Sequence, residues 1–197
     1  MSSIIDQLIH LDKSLFLSLN GCGAPQLDSL MVFVSGKLEW IPLYAVLLYF
    51  VFKQYKTKGF YILFFVVLLI VASDQISVNL FKNVFERFRP CHDPTLEGLV
   101  YIVDNRCGGK FGFVSSHATN TFALATFIGL ILKNRSWLFG LLIWATVVSY
   151  SRVYLGVHFP LDVLCGALLG VLIAYLDYSF MNWIDKRFNF GINSQTK

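Results

Sequence analysis

The sequence predicts an all-α fold: a polytopic transmembrane helical bundle of five to six spans with an N-terminal interfacial amphipathic helix. Two observations carry this. Of 197 residues, 56% are hydrophobic and 14% charged, with 19 Phe and a mean hydropathy of +0.62; a soluble domain would carry roughly a quarter charged residues. The apolar residues also fall in runs nearly free of charge, at 41–52, 60–72, 122–132, 137–148 and 163–176. With their polar flanks, most of these runs reach the about 20 residues that a spanning helix needs. A water-soluble enzyme or a nucleic-acid-binding domain is excluded on these grounds.

The N-terminal stretch "IIDQLIHLDKSLFLSLN" sets Asp6, Asp12 and Lys13 among helically spaced Ile and Leu and lacks a basic leading region. It reads as a helix lying in the membrane interface rather than a signal peptide. The following "APQLDSLMVFVSG" is too short to cross alone, and Gly36 punctuates it, so 27–53 is expected as one broken helix. Five spans result, with a sixth if the N-terminus crosses. No internal repeat or low-complexity tract interrupts the chain. The expectation is a single membrane-embedded domain over 1–197, with 1–25 as interfacial helix and linker, a motif core at 82–162 and a flexible tail at 188–197.

Basic residues sort the two membrane faces. Lys53, Lys56 and Lys58, then Lys133 and Arg135, then Lys186 and Arg187 all fall on one side if spans alternate. The positive-inside rule makes that side cytoplasmic. Residues 81–116 and 152–161 then face outward, which places the protein in the cytoplasmic (inner) membrane with its polar clusters on the periplasmic side. Cys91 and Cys107 bracket an outward loop in a compartment where disulfides persist, and are predicted to pair. Cys165 lies inside the last span as a packing residue.

Three polar clusters meet at that outward face: "KNVFERFRP" with Lys82 and Arg89, "FVSSHATN" with Ser115, Ser116 and His117, and "SRVYLGVHFPLD" with Arg152, His158 and Asp162. Ionisable residues at membrane depth are rare and usually mark function. Three cations crowded at a low-dielectric boundary call for an anion, and phosphate suits both the planar Arg donors and the Lys point charge. Ser115 and Ser116 stand where a helix N-cap stands, adding exposed N–H groups. Pro160 favours a first helical turn, so Asp162 falls near the third helical position and reaches back to orient His158. One ring nitrogen of His158 is then free to attack phosphorus, and His117 can protonate the departing oxygen. The bland alternative, cations snorkelling to headgroups and an ordinary helix-start pair, explains each residue alone but not their convergence.

These residues, written K-x6-RP, x-S-x-H and SR-x5-H-x3-D, resemble the three signature blocks of the type 2 phosphatidic acid phosphatase (PAP2) superfamily. The first and third blocks match in full spacing. The second reads Val114-Ser115-Ser116-His117 where the family usually has Pro-Ser-Gly-His. The resemblance implies a metal-independent lipid phosphatase that works through a phosphohistidine. It makes His158 the nucleophile, Asp162 its orienting carboxylate and His117 the general acid. Lys82, Arg89, Arg152 and Ser115, with the backbone near Ser116, hold phosphate, and Arg87 and Ser151 help. No cofactor and no metal are expected, and the adjacent "CHD" at 91–93 does not make a metal site.

The expected partner is a phosphorylated membrane lipid, with no nucleic acid and no obligate protein partner. Undecaprenyl diphosphate, hydrolysed to the monophosphate, is the first choice. Lipid A phosphate, phosphatidylglycerol phosphate and phosphatidate are the alternatives within the class. Glycines in "CGGKFGF" mark a candidate moving lid. Two other classes remain open at this stage: a proton-coupled transporter using Asp74, His117, His158 and Asp162, and a lipid-binding protein without turnover.

Overall fold

A computed structural model of the chain describes residues 4–192. Seven helices of 11 residues or more carry this part. They are α1 (Ile4–Asn20), α2 (Pro25–Ser35), α3 (Ile41–Tyr55), α4 (Gly59–Gln75), α5 (Ser116–Leu132), α6 (Arg135–Tyr154) and α7 (Pro160–Phe188). Among the described residues, three stretches are long and apolar enough to cross a membrane: Ile41–Phe85, Arg135–Tyr154 and Pro160–Phe188. The first folds back on itself at Lys56, whose φ of 52° breaks the helix, so α3 and α4 form a hairpin with Phe52 and Phe60 in ring contact across the turn. With the shorter apolar α5, five membrane-grade helices result.

Each of these helices is apolar on both sides, as burial in lipid requires. Leu47, Val51, Ile62, Phe65, Leu69, Phe127 and Ile131 form the interior core, while Leu164, Leu168, Leu172 and Leu176 make an exposed stripe along α7. α5 packs closely against α7, and small residues allow it. A Cβ on Gly166 would meet the Ser115 carbonyl oxygen at 2.7 Å, and one on Gly170 would run into the Thr119 carbonyl. The start of α5 is thereby pressed against the start of α7, where Ser115 N donates to the Asp162 carbonyl at 3.0 Å.

The bundle has two unlike ends. At one, Tyr55 donates to the Ile131 carbonyl and Lys58 to the Gly191 carbonyl, gathering the turns that carry the basic clusters. At the other lie the 86–115 loop, the α6–α7 connection and α1. Long-range side-chain bonds of α1 reach this second end, from Lys13 to Thr95, Asp12 to Leu161 and Asn20 to Tyr101, Val153 and Tyr154. The helix therefore lies across that end, its outer face showing Ile4, Ile5, Leu8 and Leu15.

Two expectations are modified. The segment 27–53 is two separate helices, because Gly36 and the 36–40 break end α2 and Pro42 opens α3. The segment 188–197 is not loose where it can be followed. Ile192 is buried and its N–H donates to Asp185, while residues 193–197 lie outside the described part. The Cys91–Cys107 disulfide is present, Cα atoms 6.0 Å apart, closing the loop over the site end.

Candidate active site

α4 does not end as an ordinary helix. It continues as a π-helical stretch, Ile76–Lys82, whose i→i+5 bonding brings residues five apart onto one face. Ser77 and Lys82 are such a pair. Both reach the Ser116 hydroxyl, Ser77 Oγ at 2.7 Å and Lys82 Nζ at 2.6 Å. Ser116, standing where the second block usually has Gly, thus holds Lys82 in place.

Ser115 is the N-cap of α5, its Oγ accepting from Ala118 N at 3.5 Å. It is fully buried behind the site, whereas Ser116 and His117 face a cavity of about 600 Å³. Lys82, Arg89, Arg152 and His158 line the same cavity. Its far walls are apolar: Leu47, Val51, Ile62, Val66, Leu124 and Val148 from α3, α4, α5 and α6. One space therefore joins a cationic, histidine-bearing end to a hydrocarbon-like one.

His158 is 1% exposed. Its Nε2 lies 3.0 Å from Arg89 Nη1 and its Nδ1 3.4 Å from Asp162 Oδ2. Arginine only donates, so Nε2 accepts and Nδ1 carries the proton toward the carboxylate. Burial, then the nearby charges of Arg89, Arg152 and Lys82, hold the imidazole pKa well below its ordinary 6.5. The ring is neutral at pH 7, with its lone pair on the side of Arg89.

Asp162 sits at the third position of α7, where its Oδ2 also accepts from Phe159 N at 3.0 Å. Its Oδ1 takes Arg87 Nη1 at 2.7 Å, and Arg87 Nη2 reaches Asp12 Oδ2 at 2.6 Å. Arg87 also covers the Phe159 ring, Cζ 4.3 Å from its centroid. Ser151 is turned away, donating to the Val148 carbonyl.

The two arginines facing the cavity are held but not satisfied. Arg89 Nη1 donates to the Val157 carbonyl at 3.1 Å, and Arg152 Nη1 to Ser35 Oγ. In each, the buried Nε has no hydrogen-bond partner among the described residues. A buried orphan donor is costly, and an anion is what two guanidinium groups and an ammonium would satisfy together. Burial lowers the Arg89 pKa from its ordinary value, with Asp162 opposing.

Sequence reasoning missed Asp12, Ser77 and Gly112. Asp12, Phe16 and Asn20 are the buried residues of α1, spaced four apart, so a polar–aromatic–polar stripe was the available signal. Gly112, from the proposed lid, is a wall of the site. A Cβ there would stand 3.1 Å from Arg89 Cγ, 3.2 Å from Asp162 Oδ2 and 3.4 Å from His158 Nδ1. The group Cys91, His92 and Cys107 has metal-type ligands, but both sulfurs are spent in the disulfide.

Comparison with known proteins gives a consistent picture. The PAP2 superfamily model matches residues 62–186. A lipid A 4'-phosphatase of Porphyromonas gingivalis is 36% identical over 177 residues, covering 88% of this chain and 74% of that protein. An undecaprenyl-diphosphatase of Sulfolobus acidocaldarius is 34% identical, covering 87% and 79%. The crystal structure of a transmembrane PAP2-type phosphatidylglycerolphosphate phosphatase from Bacillus subtilis superposes with a TM-score of 0.69 at 26% identity, covering 90% of this chain and 88% of that one.

Proposed function

The chain belongs to the PAP2 superfamily, a multi-pass membrane lipid phosphatase, and from that premise we propose that it removes a phosphate from the saccharide headgroup of a lipid A-type substrate through a phosphohistidine. The observation that carries the lipid reading is the single cavity in which Arg89, Arg152, Lys82 and the two histidines face apolar walls. Phosphate enters the cationic end while the acyl chains stay among Leu47, Val51 and Val66. The choice of saccharide lipid leans on the 36% identity to a lipid A 4'-phosphatase.

The chemistry follows from the placement of each group. The guanidinium groups of Arg89 and Arg152 and the ammonium of Lys82 bind the phosphate oxygens and stabilise the charge of the transition state. Once the bound phosphate draws the Arg89 guanidinium off it, the Nε2 lone pair of His158 forms the N–P bond as the P–O bond to the lipid breaks. His117, protonated as the anionic phosphate settles beside it, gives its proton to the leaving oxygen, and the lipid alcohol departs. The phosphorylated ring is now cationic, with its Nδ1–H on Asp162. Water then attacks phosphorus, delivers its proton to His117, and the N–P bond breaks to release phosphate and neutral His158. No step needs a metal.

The site faces the periplasm in this reading, because the end bearing Lys56, Lys58, Lys133, Arg135 and Lys186 is the cytoplasmic one. Undecaprenyl diphosphate is the second reading, favoured by the 34% identity to an undecaprenyl-diphosphatase. Phosphate release by the purified protein in EDTA, across lipid A, polyprenyl diphosphate and phospholipid panels, separates the two. Release from lipid A that His158→Ala abolishes is expected. Release confined to polyprenyl diphosphate would transfer the assignment to the second reading.

A further inference from the structure

We propose that Asp12, on the N-terminal helix α1, is a positioning residue for His158, acting through Arg87 and Asp162. The inference rests on the phosphohistidine reading and extends it to a helix outside residues 62–186 matched by the family. It starts from an unbroken chain of contacts: Asp12 Oδ2 to Arg87 Nη2 at 2.6 Å, Arg87 Nη1 to Asp162 Oδ1 at 2.7 Å, Asp162 Oδ2 to His158 Nδ1 at 3.4 Å. Asp12 and Asp162 are both buried, so neither bond is a surface pair dissolved by solvent.

Asp12 is itself locked. Its second oxygen accepts from Leu161 N at 2.9 Å, one residue before Asp162. Next to it on α1, Phe16 stands edge-on to Phe159, ring centroids 5.2 Å apart, beneath the Arg87 guanidinium. The guanidinium plane is therefore fixed by two carboxylates and a ring. Held this way, Arg87 engages only Oδ1 of Asp162 and leaves Oδ2 turned to His158 and Phe159 N. Without Asp12, Arg87 can offer both Nη groups to Asp162, and the fork geometry pulls the carboxylate away from the imidazole.

Charge balance gives the same direction. Asp12, Arg87 and Asp162 together carry a net charge of −1, behind a ring that turns cationic when its Nε2 bonds phosphorus. Neutralising Asp12 brings the trio to zero, so the attack step and the phosphoenzyme lose their counter-charge. Phosphate binding, which rests on Arg89, Arg152 and Lys82, is untouched. A defect in kcat without one in KM is the signature of an interaction made in the transition state.

The charged and titratable groups around His158 are Arg89, Arg152 and Lys82 in front, His117, Lys37 and Asp74 along the cavity, and Asp162, Arg87 and Asp12 behind. Removing one negative charge from this set disfavours the imidazolium further. The acid limb of kcat/KM, which reports the free enzyme, then moves to lower pH.

The test compares the full-length protein with Asp12→Asn, with Lys13→Ala as neighbour control, measuring phosphate release against pH. Lys13 holds Asp93 on the loop and touches neither Arg87 nor Asp162, so its variant keeps wild-type kcat. For Asp12→Asn, kcat falls about tenfold or more, KM stays within about twofold, and the acid limb moves down. Wild-type kcat, or a loss with an unmoved limb, would overturn the inference while leaving the phosphatase reading intact. If Asp12→Asn folds poorly, Asp12→Glu serves instead. It retains the charge and is expected to keep the wild-type acid limb, and a displaced limb counts against the proposal. A wild-type protein without turnover on any phosphate lipid would overturn the phosphatase reading and this inference together.

Discussion

The two sides of the His158 ring are built on opposite plans. Behind it, every polar group is engaged: Asp162 takes Arg87, Phe159 N and His158, and Arg87 takes Asp12. In front of it, Arg89 and Arg152 each keep a buried Nε without a partner among the described residues. The saturated side can aim a ring but has nothing left to bind with. The unsaturated side carries the cost of unpaired donors, which an arriving anion removes. Aim and grip are thus separated across one imidazole, and substitutions on the two sides should fail in different ways.

The largest effect belongs to the ring between them. His158→Ala should lower kcat by about 10³-fold or more, while phosphate-lipid binding by equilibrium titration persists. On the gripping side, Arg89→Lys or Arg152→Lys keeps the charge but loses the planar fork. Each is expected to lower kcat/KM by on the order of tenfold or more, with KM raised as well as kcat lowered. A pure kcat effect would erase the division between the sides. On the aiming side, Gly112→Ala places a methyl against Asp162 and His158, with contacts of 3.2 and 3.4 Å to relieve. A severalfold fall in kcat with KM little changed is expected from steady-state kinetics.

Two smaller effects sharpen the contrast. The acid limb of kcat/KM should lie below the ordinary imidazole pKa of 6.5, because burial and three cations depress that of His158. A group with a lowered pKa stays neutral to lower pH, so activity is retained as pH falls past 6.5 and lost only below it. The smallest effect concerns the lid tie. Burial pushes the Asp93 carboxyl up, but hydrogen bonds from Lys13 and Thr95 outweigh it and hold its pKa below the ordinary value. Its contribution to stability is present above the unfolded carboxyl pKa and fades as pH falls through the lower folded one. Lys13→Ala should weaken that acid-range dependence of the thermal midpoint, the Thr95 bonds remaining, at a cost of under about 1 kcal/mol.

Much of this arrangement was legible from residue order. Pro160 and Asp162 announce a helix start with a carboxylate three residues in, and the structure places Asp162 against His158 as that spacing requires. Ser115 as N-cap was legible for the same local reason. The alternation of apolar runs brought Lys82, Arg89, His117 and Arg152 to one end, because a spanning helix leaves its flanks no choice of side. What was not legible depends on partners distant in sequence. Ser116 reads as a departure from Gly until the π-helical turn brings Ser77 and Lys82 to its hydroxyl. Asp12 reads as one polar residue on an interfacial helix until Arg87, 75 residues away, closes on it. The 27–53 segment misled because helical periodicity on both sides of Gly36 does not reveal that the chain changes direction there.

The most direct test of the central claim is to quench the protein in alkali during turnover of its lipid and map the phosphoryl group by mass spectrometry. A phosphorylated peptide bearing His158, absent from His158→Ala, is the predicted result. A phosphoryl group on any other residue, or turnover that survives in His158→Ala, would contradict the account.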